Sequence, residues 1–416
     1  MTIHLPFKME FLLYLTGNCN LRCEMCCQYG EGYKEYAKDE MTLNEWDSFL
    51  QTIADVEPKP VLILIGGEPL LYKNFEKLFK LIQEYEFPVH IITNGTLLDK
   101  YLPLLCEYNT KITISIDGLG ETHDKIRNKK GTFKKVIENI KRIEKYQKEG
   151  SKVQLLTNFV VLPDNIDEII PFYKEMSNYN ISNLTFQHLQ FSTPDLDNLS
   201  SKEWMSRLNK AYECDVSPQK EYKIDQAYFE KIKNTFDEFR KCSQAKNCFE
   251  FPALKTEELF KYYLSDDVGS IRPNRICTTA WTSPFIQPNG DVSNCINNTI
   301  GNIKNENFWD IWNNEKANML RETLKNEGKF SICAKCCNFY KSNFVNAPNC
   351  ELAINDQIYN LPNELNFVLP AYEIALIHDK FQDSKNSKNI SVLPVPLHSQ
   401  YDLVKLAEKE EILSII

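Results

Sequence analysis

From Phe11 to about Gln190, short β-branched runs alternate with amphipathic stretches whose apolar residues recur at helical spacing. The runs predict strands at Phe11–Leu15, Val61–Ile65, Val89–Thr93, Ile112–Ile116, Val153–Leu162 and Asn183–Gln190. The stretches between them predict helices at Leu43–Asp55, Asn74–Tyr85, Leu97–Glu107, Phe133–Lys148 and Ile166–Ser177. In the fourth helix Phe133, Val136, Ile140 and Ile143 form one apolar stripe, with Gly131-Thr132 opening it and Gly150 closing it. Strands alternating with helices in this way imply an α/β fold with a parallel sheet and crossover helices. After Thr193-Pro194 the strand pattern stops. Residues 200–263 then read as helices, including Trp204–Tyr212 and Tyr228–Lys241, and residues 271–339 form a cysteine-bearing module. Beyond Pro348 comes a proline-punctuated tail with a polar linker at 382–388 and a final helix near Leu403–Ile415. The expected division is therefore 1–195 for the α/β unit, 196–270 for a helical connector or lid, 271–340 for the cysteine module and 341–416 for an extension without a readable role.

Composition narrows the partners. The 416 residues are 43% hydrophobic, and the formal net charge of -9 argues against a nucleic-acid face. No window approaches the roughly 18 apolar residues of a membrane span. The start of the chain lacks the pattern of a signal peptide, so a cytoplasmic protein is expected. In such a chain 14 cysteines point to metal binding rather than disulfides.

Three of these cysteines, Cys19, Cys23 and Cys26, sit in C-x3-C-x2-C spacing just after the first strand. Zinc or a fully ligated iron–sulfur cluster takes four protein ligands, so three thiolates leave one position open. Polar residues collect where the later strands end. Gly66-Gly67-Glu68-Pro69 follows the second strand, Thr93-Asn94-Gly95 the third and Ser115-Ile116-Asp117-Gly118 the fourth, and Asn158 lies inside the fifth. The glycines permit close approach of backbone to a ligand, and Glu68 offers a carboxylate to a cationic amine. Arg127 brings a guanidinium suited to a carboxylate, whereas His123 and His188 read as packing residues, and Gln190 is a weaker candidate for a ligand contact. A second set, Cys277, Cys295, Cys333 and Cys336, surrounds a hairpin-like segment containing Pro288-Asn289-Gly290. The other seven cysteines, Cys27, Cys106, Cys214, Cys242, Cys248, Cys337 and Cys350, read as ordinary thiols.

Over about residues 8–195 and 271–339 these motifs resemble the radical S-adenosylmethionine (SAM) superfamily with a Twitch module, the short form of the SPASM domain. The resemblance implies a partial (β/α)6 TIM-like barrel with its active site at the strand carboxyl ends, a helical connecting segment and a small cysteine-rich domain. It implies two 4Fe–4S clusters, one on Cys19, Cys23 and Cys26 with an iron open to SAM, and an auxiliary one on Cys277, Cys295, Cys333 and Cys336. By the same resemblance Gly66, Gly67, Glu68 and Pro69 bind the SAM amine, and Arg127 meets the methionyl carboxylate. Ser115 meets the carboxylate or ribose, Asp117 faces the substrate, and Asn94 and Asn158 lie in the same site. The expected activity is reductive cleavage of SAM, hydrogen abstraction from a substrate and oxidation of the resulting radical through the auxiliary cluster. The substrate is expected to be a ribosomal peptide, with a sugar, aminocyclitol or other small metabolite as the alternative. An electron donor such as flavodoxin or ferredoxin is expected as a partner. A noncatalytic metal-binding protein would leave Gly66-Gly67-Glu68-Pro69 unexplained. With the barrel beginning about ten residues in, no separate peptide-recognition domain is expected before it.

Overall fold

Six strands form on the β-branched runs: β1 Glu10–Tyr14, β2 Val61–Ile65, β3 Val89–Thr93, β4 Lys111–Ser115, β5 Gln154–Val161 and β6 Asn183–His188. Every neighbouring pair is parallel. The structure, a computed structural model, describes residues 3–5, 8–27, 38–212, 218, 220–242, 248–265, 270–271, 275–341, 344–345, 351–354 and 357–360. Crossover helices α1 Leu43–Ile53, α2 Phe75–Glu84, α3 Leu98–Glu107, α4 Glu121–Ile126, α5 Thr132–Lys148 and α6 Ile169–Met176 cover one face of the sheet. A reciprocal Thr42–Glu45 capping box starts α1, satisfying backbone donors that a helix start leaves open. Ahead of α6, residues Ile166–Glu168 tighten into a 3-10 turn, so that helix begins later than its apolar pattern suggests.

Period-two alternation decides which strand residues meet the helices. Phe159 of β5 and Phe186 of β6 lie 4.9 and 6.1 Å from Phe172 of α6. Asn158 and Gln187, on the opposite parity, therefore face the concave interior. A Cβ on Gly95 would touch Ile114 and Val136 of α5, which puts Ile114 on the helix side and Ser115 on the inner side of β4.

The connector is helical: α7 Pro194–Leu208 begins well before the expected Trp204 and ends short of Tyr212, α8 Gln226–Cys242 falls on the expected Tyr228–Lys241, and α9 Thr256–Leu264 follows. It also contributes a strand that the helical reading lacked, β7 Cys248–Phe251, parallel to β6. Four residues with alternating Phe249 and Phe251 are too short for an amphipathic helix, and β6 presents an open edge to pair with.

The cysteine module enters the same sheet. Strand β8, Phe285–Ile286, runs parallel to β1, and Leu12 N donates to Pro284 O at 2.9 Å. Antiparallel β9 Asp291–Cys295 and β10 Asn298–Asn302 extend it, so the open ten-stranded order is β10-β9-β8-β1-β2-β3-β4-β5-β6-β7. Phe308 joins the barrel core, 5.1 Å from Phe11 and 5.8 Å from Phe49. Past the module, Glu351–Ile354 and Gln357–Asn360 pair antiparallel. The linker at 382–388, the helix expected near the end, Cys214 and Cys350 lie outside the described residues. No helix among the described residues is long and apolar enough to cross a membrane.

Candidate active site

The loop carrying Cys19, Cys23 and Cys26 leaves the carboxyl end of β1 and is fastened to the ends of β2 and β3. Gly67 N donates to Thr16 O and Glu68 N to Asn18 O, each at 2.8 Å. A Cβ on Gly66 would lie 2.6 Å from Thr16 O, and one on Gly67 2.3 Å from Asn18 O. The two glycines thus serve the contact of two backbone segments. Asn94 Nδ2 donates to Asn20 Oδ1 at 2.8 Å, Asn20 Nδ2 donates to Thr96 Oγ1 at 2.9 Å, and Asn94 Nδ2 stands 4.0 Å from Cys19 Sγ. From β3 this net holds the thiol loop in place.

Glu68 is fully buried. Its carboxylate accepts from Thr93 Oγ1 at 2.7 Å, Asn94 N at 2.8 Å and Leu70 N at 3.2 Å, the last capping the turn Pro69–Leu71. Burial outweighs these donors and pushes its pKa up to about 7. Two carboxylate oxygens have about four acceptor positions, so three protein donors leave about one for a further donor.

Arg127, just past α4, is 7% exposed and forms an ion pair with Asp117, which is fully buried. Asp117 Oδ1 also accepts from Val160 N at 2.8 Å, and Asp117 N donates to His123 Nδ1 at 3.1 Å. Asp117 was expected to face the substrate, but a guanidinium buried behind it needs a counter-charge, and the aspartate supplies it. Arg127 Nη1 points the other way, 3.5 Å from Cys23 Sγ. Burial raises the pKa of Cys23, with Arg127 as the largest opposing influence; burial likewise raises that of Cys19. His123 is buried and its pKa falls to about 3, chiefly through desolvation. It is a neutral packing residue.

On the concave face Ser115 and Asn158 are direct register partners, and Asn158 Nδ2 donates to Gln187 Oε1 at 3.2 Å. His188 has the opposite parity and takes no part. Its Nδ1 meets Tyr263 Oη at 2.8 Å and its Nε2 meets Glu250 Oε1 at 3.0 Å, within the connector packing. Gln190 donates to Lys335 O at 3.3 Å.

Sequence reading missed one clamp altogether. Lys220 Nζ reaches Glu24 Oε2 at 2.9 Å and Asp164 Oδ2 at 2.5 Å, tying the connector to the thiol loop and the end of β5. Only a through-space contact across 196 residues reveals it.

The second thiol set gathers around Cys295 at the end of β9. Burial pushes Cys295 up to about 12 and raises Cys333 and Cys336 well above the usual thiol range. The charges of Cys337, Cys277, Cys333 and Cys295 all act on Cys336, so the four expected ligands lie within electrostatic reach of one another, with Cys337 beside them. Each is nevertheless only partly buried by surface area. Among the described residues no three Cys, His, Asp or Glu groups close around a single ion. An all-thiol donor set suits an iron–sulfur cluster, whose usual protein ligands are thiolates.

A family model described as the radical SAM superfamily matches residues 13–176, and one described as an iron–sulfur cluster-binding domain matches residues 277–337. The chain is 29% identical over 180 residues to an Fe-coproporphyrin III synthase of Methanosarcina barkeri, covering 43% of each protein. It is 29% identical over 168 residues to the sporulation killing factor maturation protein SkfB of Bacillus subtilis, covering 40% of this chain and 39% of that one. The chain thus spans about two fifths of the length of these two curated relatives. A tungsten-containing aldehyde ferredoxin oxidoreductase cofactor-modifying protein of Pyrococcus furiosus is 25% identical over 372 residues, 82% of this chain and 94% of that protein. In fold the chain resembles Streptococcus suis SuiB bound to S-adenosylmethionine, with TM-score 0.55 and 17% identity over 81% of this chain and 72% of that one. With the thiol loop at the strand carboxyl ends and the second thiol set in the cysteine module, the chain carries a radical SAM domain over residues 13–176 and a SPASM-type iron–sulfur cluster-binding domain over residues 277–337.

Proposed function

We propose that this protein is an oxidative maturase of a peptide. Cys19, Cys23 and Cys26 would hold a 4Fe–4S cluster that keeps one iron for SAM, and Cys277, Cys295, Cys333 and Cys336 a second, fully ligated cluster. When bound, these groups supply the one-electron and radical chemistry that no side chain provides. The protein positions the parts. Arg127 faces the first thiol set with its charge held by Asp117, and offers a guanidinium to a ligand carboxylate. Ser115, Asn158 and Gln187 present neutral donors and acceptors on the concave face, where a substrate and the ribose of SAM would lie. Glu68 keeps the turn under the ligand amine in shape, and the Lys220 clamp ties the connector to the thiol loop. A soluble one-electron carrier such as flavodoxin or ferredoxin would complete the system.

The observation that carries this reading is the fastening of a three-thiol loop to the strand carboxyl ends, with a second thiol set in a module whose strands extend the same sheet. The likeness to a sporulation killing factor maturation protein supports the peptide, and the equal identity to an Fe-coproporphyrin III synthase favours, as a second reading, a small-molecule substrate. Anaerobic reconstitution tests the core of it: about eight irons are expected, and about half should remain after Cys19, Cys23 and Cys26 are changed together to Ala. Zinc alone in the wild type, or no loss in the triple variant, would overturn the assignment. Mass spectrometry of product formed in deuterated water then separates the reactions. Loss of two hydrogens supports oxidation, whereas unchanged composition with one solvent deuteron on carbon supports redox-neutral epimerisation.

A further inference from the structure

The connector reaches the first thiol set through a short irregular segment ahead of α8, residues 220–225. Lys220 N donates to Glu24 O at 2.9 Å, beside Cys23, while Lys220 Nζ bridges the carboxylates of Glu24 and Asp164. Tyr222 follows two residues later. Its ring centre stands 5.3 Å from Lys220 Nζ, on the same side of the segment as the bridging ammonium. Burial raises the pKa of Tyr222, and after burial the charges of Glu24, Asp164, Asp117 and Cys23 act on it. Cys23 and Glu24 follow β1, Asp117 follows β4 and Asp164 follows β5. The phenol therefore lies within electrostatic reach of groups at three strand carboxyl ends.

The Tyr222 hydroxyl oxygen is buried and has no hydrogen-bond partner among the described residues. Arg127 Nε, in the guanidinium that pairs with Asp117 and faces Cys23, is in the same condition. Protein interiors pair nearly all their buried polar atoms, and a buried polar atom left alone costs more than an ordinary hydrogen bond returns. Packing gives no reason for this oxygen. A phenylalanine would place the same ring beside Lys220 and leave nothing unpaired. Two orphaned polar atoms that share Asp117 and Cys23 as neighbours instead mark a place where a polar ligand is received.

We propose that the Tyr222 hydroxyl is a binding group for SAM, supplied by the connector to a site whose other groups come from the barrel. This rests on the reading of Cys19, Cys23 and Cys26 as ligands of the SAM-binding cluster. SAM offers acceptors in its carboxylate and ribose oxygens and donors in its amine and ribose hydroxyls, and a phenol can serve either kind. The contact is a hydrogen bond, with no covalent or redox step. Lys220 is then a positioning residue: by holding Glu24 and Asp164 it sets the Tyr222 segment against the thiol loop.

The test is Tyr222→Phe in the full chain, which keeps the ring and removes only the oxygen. In anaerobically reconstituted protein of the same iron content as wild type, equilibrium dialysis against radiolabelled SAM is expected to show a dissociation constant raised about tenfold, the size of one hydrogen bond. In the metal-free protein without SAM, the same variant is expected to unfold at a higher urea concentration, because the unpaired oxygen is gone. The opposite signs separate a ligand contact from a structural one. A hydroxyl bonded within the protein would lower the urea midpoint when removed. Unchanged SAM affinity, or a lowered urea midpoint, overturns the proposal. Wild-type protein that holds its iron yet binds no SAM would instead refute the reading of the first site.

Discussion

Asp117 and Arg127 show how a site residue acquires its role from its partner. Both are buried, and a buried ion pair that loses one member leaves an uncompensated charge costing about 3–5 kcal/mol. Asp117→Asn keeps an acceptor for Val160 N, so a loss of that size in urea unfolding of the metal-free protein is expected to come from the charge alone. Glu68 makes a pH prediction. Its pKa rises from 4.5 to about 7 on folding, so the folded state binds the proton more tightly than the unfolded chain. The associated stability is fully present below about 4.5 and is lost as pH climbs through about 7, a decline of roughly 3 kcal/mol. Glu68→Gln should flatten that slope in urea titrations between pH 4.5 and 7. An identical slope in the variant would place the titrating group elsewhere.

At the scale of elements, the contact between the thiol loop and the turn after β2 decides whether three cysteines converge. Gly67 has no room for a Cβ against Asn18 O at 2.3 Å, a separation that forces one backbone segment to move. Gly67→Ala is therefore expected to displace the loop without unfolding the barrel. Reconstituted protein should lose about half its iron, the first-site share, while its far-ultraviolet circular dichroism stays unchanged. Retention of full iron would show that the loop tolerates the shift. The connector acts at this scale too: by pairing β7 with β6 and clamping Glu24 and Asp164 through Lys220, it joins the far edge of the sheet to the loop beside β1.

For the whole molecule, the ten-stranded sheet makes the cysteine module part of the barrel core. Strand β8 covers the edge of β1, Phe308 packs between Phe11 and Phe49, and Trp309 Nε1 donates to Thr52 O at 2.9 Å. Cutting the chain after residue 270 would bare that edge and its aromatic cluster, and an exposed apolar strand edge invites aggregation. The fragment 1–270 is expected to be insoluble under conditions in which the full chain is soluble, as read by the supernatant fraction after centrifugation. A soluble fragment with a cooperative transition would show instead that the two thiol sets sit on separable units.

The amino-acid sequence alone determined the parallel strands, their crossover helices and the loops where chemistry-bearing residues collect, because β-branched runs, helical periodicity and cysteine spacing are local signals. It did not determine β7 or the pairing of β8 with β1: runs of four and two residues carry too little periodicity, and their partners are distant in the chain. The inward aim of Asn158 and the outward aim of His188 follow from strand parity, but which parity faces inward depends on where the helices pack. Partner choice was likewise a tertiary matter. Asp117 turns to Arg127, Glu68 to Thr93 and Asn94, and Gly67 to Asn18, because a buried charge, carboxylate or backbone donor takes the nearest group that satisfies it, and only the folded chain sets which group is nearest.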